Sequence, residues 1–248
     1  MLLIINSDDF GYEQSVNLGI IEAHKNGVLT SATLMPNMQG FDNAIKLSKE
    51  NEKLGVGVHL VLTCGKPILN PKEVSTLIDE NGNFKNVSNY HKDYTINLDE
   101  VYNEWKAQIN KVIETGIMPT HLDSHHHINV VHGINDVFEQ LSREYKLPVR
   151  NNYDVSKDLV TTKGFYDLDN LPFKTGFWKE MEITNFIKYI KICKTVEAMC
   201  HVGYIGPYLQ ETSSFTKVRP LQVKELTNIE FLKILNDEGI KLGTYRDL

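Results

Sequence analysis

Short apolar runs alternate with amphipathic stretches along the whole chain, and this alternation restricts the fold more than any other feature of the sequence. Leu2–Asn6 is almost wholly apolar, as expected of a strand that is covered on both faces. Ser15–Asn26 is amphipathic and is followed by Gly27, a residue type that often ends helices. Strands that alternate with helices predict an α/β protein with a parallel sheet and crossover helices. We predict strands at 2–6, 32–35, 55–62, 120–123, 147–150, 196–201 and 241–244, and helices at 15–26, 41–50, 98–115, 134–145, 184–194 and 228–237.

The length of 248 residues suits one closed or distorted (β/α) barrel better than an open sheet. No glycine-rich phosphate loop follows the first strand, which argues against a dinucleotide-binding fold. Two stretches, 63–95 and 152–179, are rich in Asn, Asp, Gly, Pro and Lys, and we expect them to be long loops over one face. We therefore predict a single domain over residues 1–248 with loop insertions in these two places.

Charge and hydropathy exclude several classes of partner. The formal net charge is −6, so the chain has no basic field to attract nucleic acid or a membrane surface. No window approaches the roughly 20 apolar residues that a membrane span needs. The first residues lack the basic and apolar regions of a signal peptide, and the three cysteines form no Cys-x-x-Cys pair. We expect a cytoplasmic protein with free thiols. The oligomeric state stays open, with a homodimer as one alternative.

Histidine and aspartate residues stand where four of the apolar runs end. Asp8 and Asp9 follow the first run, His59 lies in Gly-Val-Gly-Val-His-Leu, and His201 closes Val-Glu-Ala-Met-Cys-His. Five of the nine histidines lie between residues 121 and 132. The carboxyl ends of barrel strands meet at one mouth, where catalytic groups collect. Each of these residues alone is typical of a turn, a cap or a core histidine, but together they predict a metal site.

The residue types explain how such a site would work. A catalytic metal commonly has three protein ligands and an open position for water. Two imidazoles and one carboxylate leave a net charge of about +1 with a divalent ion, which acidifies the water and polarises a carbonyl. We expect Asp8 and Asp9 to point apart from an extended strand end, one as a metal ligand and the other as a base. A histidine on the opposite side would protonate a leaving nitrogen.

Five motifs are spread along almost the whole chain: Asn6-Ser7-Asp8-Asp9-Phe10-Gly11, Gly57-Val58-His59-Leu60, Pro119-Thr120-His121-Leu122-Asp123-Ser124-His125-His126-His127, Met199-Cys200-His201 and Leu242-Gly243-Thr244-Tyr245-Arg246-Asp247. Together they resemble the motifs of the YdjC-like carbohydrate deacetylases. One departure is Val202, because proline usually follows Met-Cys-His in this family, and the loss of that proline affects how the backbone aims His201.

This resemblance implies a distorted, TIM-like (β/α) barrel of the polysaccharide deacetylase (NodB-like) type. It also implies a divalent metal held by Asp9, His59 and His125. Asp8 would be the general base, and His201 would serve the leaving nitrogen. The family suggests magnesium, which normally prefers oxygen ligands, whereas two imidazoles suit zinc. Magnesium is therefore the first expectation and zinc its rival.

Three further residues are placed by the same reasoning. Arg150 stands at a predicted strand end, where it would orient an aspartate. His127 would contact the substrate or support a metal ligand. If residues 125–127 are extended, His126 points away from the site and is structural.

The implied reaction removes the N-acetyl group from a chito-oligosaccharide, such as diacetylchitobiose or its 6-phosphate, and releases acetate. An N-acetylated amino sugar is thus the expected partner. Aromatic rings in predicted loops would offer surfaces for the sugar, although each is more typical of ordinary packing: Tyr90, Tyr94, Phe177, Trp178, Tyr204 and Tyr208.

Other functions stay open. An amidohydrolase usually has His-x-His after its first strand, where this chain has Asp-Asp, and a phosphoesterase often brings more carboxylates to bridge two metals. A non-catalytic, metal-containing sugar-binding protein would need a fourth ligand to close its site, whereas Asp8 and His201 are left over. A glycosidase would use two carboxylates and no metal.

Overall fold

The computed structural model describes residues 1–90, 96–170 and 180–248. Strands and helices alternate for most of the chain, as the sequence predicts. The strands are β1 (Leu2–Phe10), β2 (Ser31–Leu34), β3 (Gly55–Leu60), β4 (Leu122–Ser124), β5 (Gly164–Asp167), β6 (Thr195–Cys200) and β7 (Lys241–Leu242). The helices are α1 (Gln14–Asn26), α2 (Phe41–Glu50), α3 (Leu98–Glu114), α4 (Ile134–Tyr145), α5 (Glu180–Cys193), α6 (Pro207–Thr212), α7 (Arg219–Leu226) and α8 (Ile229–Asp237).

The sheet is parallel and barrel-like. Its strand order is β4-β3-β2-β1-β6-β5, and β7 pairs with the start of β1. Two isolated parallel bridges continue this pairing, because Val149 pairs with Leu122 in β4 and with Thr161, shortly before β5. The pairing therefore runs from β4 back towards β5, so that the sheet curves into a ring. The carboxyl ends of the strands meet at one mouth of this ring.

Helices cover the outside of the sheet, and α3 shows how the sequence fixes them there. The Asn97 side chain accepts a hydrogen bond from the Asp99 N–H at 2.9 Å, which caps the first turn. On the inner face, Trp105 is fully buried and meets Phe138 of α4 edge to face, with ring centroids 6.0 Å apart. Burial of one such ring contributes roughly 1.5–3 kcal/mol or more to folding. Among the described helices, none is long and apolar enough to cross a membrane.

Glycines in β3 make room for large side chains inside the ring. Gly55, Gly57 and His59 share one face, because successive residues of a strand point to opposite faces. A Cβ atom on Gly57 would lie 2.5 Å from the His121 ring, and one on Gly55 would lie 2.9 Å from the Thr244 side chain. The glycines therefore allow other elements to cross the interior, while His59 extends towards the mouth.

Several predicted elements differ from the structure. The strand predicted at 147–150 is reduced to the bridges of Val149, since Pro148 has no N–H with which to extend a ladder. The stretch 152–179, predicted as a loop, contains β5 and a 3₁₀ turn at Leu168–Asn170, because four residues are too short to give a periodic signal. Helices α6 and α7 were not predicted.

In the stretch 63–95, which the sequence predicts to be a loop, the structure has short 3₁₀ turns at Pro71–Glu73 and Val87–Asn89. Residues 91–95 and 171–179, and with them Tyr94, Phe177 and Trp178, lie outside the described residues.

Candidate active site

Asp8 and Asp9 enter the same cavity from the end of β1. Asp9 has a φ of 66°, in the left-handed region, and the pairing of β1 with β2 shifts register between Ser7 and Phe10. This irregularity turns the chain so that both buried carboxylates line one cavity. The expectation that the two side chains point apart is wrong, because the strand is not extended at Asp9. Such a backbone conformation costs about 1–3 kcal/mol and is typical of functional sites.

The three predicted metal ligands bring their donor atoms into a small triangle. Asp9 Oδ1 lies 3.0 Å from His125 Nδ1 and 3.5 Å from His59 Nε2, and the two imidazole nitrogens are 3.3 Å apart. Metal bonds of about 2.0–2.1 Å separate neighbouring ligand atoms by about 2.8–3.0 Å at octahedral angles and by about 3.3–3.4 Å at tetrahedral angles. All three side chains are buried. This triangle has the size and the donor types that a divalent metal requires.

The charges around the triangle also suit a cation. Burial lowers the pKa of His59, but the carboxylates of Asp123 and Asp8 outweigh this and raise the pKa to about 10. The same carboxylates would stabilise a metal at His59 Nε2, because Nδ1 already donates to Asp123 Oδ1 at 2.7 Å. Asp9 Oδ1 is buried and accepts no hydrogen bond of normal geometry within the described part of the chain. A metal would satisfy this oxygen.

Asp8 lies beside the triangle and is held by Arg150. The Arg150 guanidinium donates to both carboxylate oxygens, from Nη1 to Oδ2 at 2.8 Å and from Nη2 to Oδ1 at 2.6 Å. Burial raises the pKa of Asp8, but Arg150 and His59 outweigh it and hold this pKa well below its usual range. Asp8 Oδ2 is 3.9 Å from His59 Nε2. An ionised carboxylate in this place can take a proton from a water next to the triangle.

His201 faces the triangle from the opposite side. Its Nδ1 donates to Asp169 Oδ2 at 2.6 Å, and its Nε2 lies 3.9 Å from Asp9 Oδ2. Burial lowers the pKa of His201, but the carboxylates of Asp169, Asp9 and Asp8 together outweigh this effect and raise the pKa. Gln222 of α7 accepts a hydrogen bond from the His201 N–H at 2.7 Å and donates to Asp169 Oδ1 at 2.5 Å. The raised pKa favours the protonated form of the ring, and Nε2 faces the triangle.

Val202 stands where the family resemblance leads us to expect proline. Its N–H, which a proline would lack, donates to Ser7 Oγ at 3.2 Å. On the other side of His201, Cys200 Sγ lies 3.3 Å from the Asn6 carbonyl oxygen. Both neighbours of His201 are therefore tied to β1, and the aim of His201 is maintained without a proline.

His126 and His127 both face the cavity. Their φ values are 54° and 52°, so the chain turns here instead of continuing as a strand. His126 Nδ1 lies 2.9 Å from Thr63 Oγ1, and the amide of Asn152 lies 3.0 Å from His127 Nδ1. The expectation that His126 points away is wrong, because it assumed an extended segment. Both rings are placed where a substrate would pass.

The cavity has a volume of about 560 Å³, within the range of pockets for small molecules. Asp8, Asp9, His125 and His201 lie in its wall. Its aromatic surfaces are Tyr12 and Phe215, rather than the rings chosen from the sequence; among those that are described, Tyr90, Tyr204 and Tyr208 do not line it.

Three residues of the site were missed from the sequence, and a fourth, Asp123, was recognised at a strand end but given no role. Asp123 stands two positions before His125, and this spacing was the available signal. Asp169 follows the unpredicted β5. Arg219 donates to Asp9 Oδ2 from Nη2 at 2.5 Å, and with Gln222 it comes from α7, where the sequence offered no signal.

Comparisons with known proteins agree with the motifs. A family model described as YdjC-like protein matches residues 2–237. A carbohydrate deacetylase from Clostridium beijerinckii is 35% identical over 252 residues, which cover 100% of both chains. One from Halalkalibacterium halodurans is 37% identical over 239 residues, 93% of this chain and 97% of the relative.

Solved structures agree with the fold. A crystal structure of an Enterococcus faecalis protein, named for cellobiose-phosphate cleavage, has a TM-score of 0.87 and 33% identity, and covers 99% of this chain and 98% of that one. A lactam utilization protein from Thermus thermophilus has a TM-score of 0.51 at 12% identity over 98% of this chain and 99% of that one, so it shares the fold alone.

Proposed function

The chain belongs to the YdjC-like family, and we propose that it is a metal-dependent carbohydrate deacetylase that removes an N-acetyl group from an amino sugar and releases acetate. Its full-length relatives are carbohydrate deacetylases, which makes it an enzyme of that class. The observation that carries the proposal is one cavity whose wall holds Asp8, Asp9, His125 and His201, with the third metal donor, His59, grouped directly with Asp9 and His125. The curved parallel sheet supports a TIM-like barrel of the NodB-like type.

Asp9, His59 and His125 would hold the metal. A divalent ion bound there supplies a Lewis acid that acidifies water and polarises the acetyl carbonyl. We keep magnesium as the first expectation and zinc as its rival, because the two imidazoles favour zinc on ligand softness. Elemental analysis of protein purified without added metal identifies the ion.

Asp8 acts as the general base in this proposal. Arg150 occupies both of its oxygens with hydrogen bonds and keeps it ionised, so that it can accept the proton of the attacking water. Arg150 thereby orients the base and holds its charge in a buried place. Without that ion pair the buried carboxylate would become protonated.

His201 completes the reaction as the general acid. An amine leaves an amide only if the nitrogen is protonated, so the site needs an acid as well as a base. Asp169 accepts the hydrogen bond from Nδ1 and leaves Nε2 to donate towards the leaving nitrogen. His127 lines the cavity and is proposed as a substrate contact.

We propose a chito-oligosaccharide such as diacetylchitobiose, or its 6-phosphate, as the substrate. A volume of about 560 Å³ accommodates a sugar unit, and Tyr12 and Phe215 offer ring faces to it. A cytoplasmic location, a single domain and a homodimer stay predictions.

Mass spectrometry of the products tests the function. We expect the disaccharide, incubated with enzyme and magnesium or zinc, to lose one acetyl group and to gain a free amine. Glycoside cleavage would instead yield two monosaccharides, and the E. faecalis neighbour named for such cleavage makes this comparison necessary. The proposal is wrong if neither the free nor the phosphorylated sugar loses acetyl with any of magnesium, zinc, nickel or cobalt. Wild-type metal content in both His59→Ala and His125→Ala would refute the ligand assignment.

A further inference from the structure

The motif Leu242–Asp247 has no place in the mechanism above, yet it enters the interior of the barrel. Its 3₁₀ turn, Tyr245–Asp247, begins with a reciprocal cap, in which the Thr244 side chain accepts from the Arg246 N–H and Asp247 accepts from the Thr244 N–H at 2.8 Å. The cap fixes the turn, so that Tyr245 points inwards and is 2% exposed.

Tyr245 is held by a stacked ring and by a hydrogen bond. His121 lies parallel to it, with ring centroids 3.8 Å apart and an interplanar angle of 9°. The absence of a side chain at Gly57 leaves space for the His121 ring. The Tyr245 hydroxyl donates to Glu197 Oε2 at 2.5 Å. This carboxyl group is fully buried in β6.

Glu197 connects the tyrosine to Arg150. Arg150 Nε donates to Glu197 Oε1 at 3.0 Å, and Nη2 donates to the same oxygen at 2.8 Å. Nε also lies 3.3 Å from Glu197 Oε2, a longer contact. The guanidinium further donates to Asp8, through Nη1 and Nη2, and its Nη2 is 2.6 Å from Asp123 Oδ2. A planar guanidinium cannot satisfy three carboxyl groups unless each is in a fixed position.

We propose that Tyr245 is a positioning residue for the general base, which acts through Glu197 and Arg150 on Asp8. This inference rests on the proposed function only for the role of Asp8. The hydroxyl fixes Oε2 of Glu197, which turns Oε1 towards Arg150 Nε and Nη2 and leaves Oε2 only the longer contact with Nε. Glu197 then fixes the plane of the guanidinium, and that plane sets the direction of both Asp8 oxygens. Loss of the hydroxyl frees the carboxyl group to rotate, so the base loses its alignment while the metal ligands and the cavity wall remain.

The test compares Tyr245→Phe, Glu197→Gln and the double variant with wild type. We expect Tyr245→Phe to lower kcat about tenfold, with KM and bound metal unchanged. The double variant should lose no more than Glu197→Gln alone, because both act along one chain of contacts. Tyr145→Phe is the matched control, since it removes a hydroxyl that donates to Asn110 at 2.7 Å, between α3 and α4. Its kcat should equal that of wild type.

A second measurement does not depend on turnover. The ¹⁵N–¹H signal of Arg150 Nε–H, assigned by its loss in Arg150→Lys, should shift in Tyr245→Phe and not in Tyr145→Phe. An unchanged signal together with wild-type kcat would overturn the proposal, as would losses that multiply in the double variant. If wild type releases no acetate but the Arg150 signal shifts as expected, the proposed function fails and the contact from Tyr245 to Arg150 stands. Glu197→Gln preserves the shape of the side chain, and it replaces Tyr245→Phe in the measurements of kcat and of the Arg150 signal if Tyr245→Phe is poorly folded.

Discussion

At the scale of single residues, the site gives different partners to two buried carboxylates that are neighbours in the chain. Asp8 is paired with Arg150, and Asp9 is paired with Arg219. A buried carboxylate that lost its partner would cost several kcal/mol, so each arginine determines whether its aspartate is charged. The free oxygen of Asp9 faces the two imidazoles, whereas both oxygens of Asp8 face a guanidinium. This difference in partners supports the proposed role of Asp9 as a metal ligand and of Asp8 as the base.

Asp8→Asn tests the basic role. We expect turnover to fall about 10²–10⁴-fold, because the amide keeps the shape of the side chain and removes its basicity. Bound metal should be unchanged, since Asp8 is not part of the donor triangle. Measurement of kcat and metal content on the same preparation checks this, with the exposed Asp42→Asn as the control. Near wild-type turnover with normal metal content would show that another group is the base.

Asp169→Asn tests how His201 keeps its proton. Asp169 is the chief group that raises the pKa of His201 against the effect of burial, so its replacement should lower this pKa. A general acid loses activity as the pH rises through its pKa. The basic limb of the pH profile of kcat should therefore move to lower pH in the variant. A basic limb that stays in place would mean that His201 is not the acid in turnover.

At the scale of elements, α7 contacts both Asp9 of the donor triangle and the pair of His201 and Asp169 on the opposite side of the site. Arg219 and Gln222 are three positions apart, so they lie on one face of the helix. One binds Asp9, and the other binds both the backbone of His201 and the carboxylate of Asp169. The Gln222 amide has only one possible orientation, because the His201 N–H can only donate and an ionised Asp169 can only accept. A short helix outside the strand ladder thus sets the distance between the proposed acid, His201, and the proposed metal ligand, Asp9.

Gln222→Glu should weaken this link. The new carboxylate can still accept the His201 N–H, but it has no donor for Asp169 and it repels that charge. We expect kcat to fall about tenfold with a smaller change in KM, since the cavity wall is unchanged. Gln210→Glu, on the exposed side of α6, adds the same charge elsewhere and should leave kcat as in wild type. Equal kcat values in the two variants would contradict the role of Gln222.

The sequence predicted the strand-end residues and missed those that come from irregular segments. Asp8, His59 and His201 lie at or just after the ends of largely apolar strands, so the rule for barrel strand ends places them together. Asp169 follows four residues that carry no period, and Gln222 lies in a helix with only a weak apolar stripe. Such residues are positioned by long-range packing, which local sequence patterns do not predict. The left-handed turn at Asp9 was missed for the same reason, because it depends on the pairing of β1 with β2.

At the scale of the whole molecule, the proposed metal would join distant parts of the ring. Its ligands come from the ends of β1 and β3 and from the turn after β4, so a bound ion would link three parts of the barrel. A ligand that binds only the folded state stabilises it by about 2.7 kcal/mol at 100 times its Kd. Stability should therefore depend on metal concentration.

Removal of the metal should lower the melting temperature. For a chain of this size, about 2.7 kcal/mol corresponds to roughly 5–10 °C. Calorimetry of chelator-treated protein, repeated after addition of zinc or magnesium, measures the shift. His125→Ala lacks one donor and should show a much smaller shift. The same melting temperature with and without metal in the wild-type protein would contradict a site built from the folded barrel.

The barrel interior also dictates the order in which a newly made chain becomes active. Asp8 and Arg150 are 142 positions apart, and Arg150 and Glu197 a further 47. A chain still emerging from the ribosome would present Asp9, His59 and His125 long before β6 or the Tyr245 turn exists. Contacts between such distant residues form late, because the intervening loops must close first. During synthesis the proposed metal donors therefore precede the groups proposed to align the base and to supply the acid, and we expect hydrolytic activity only when the ring is complete.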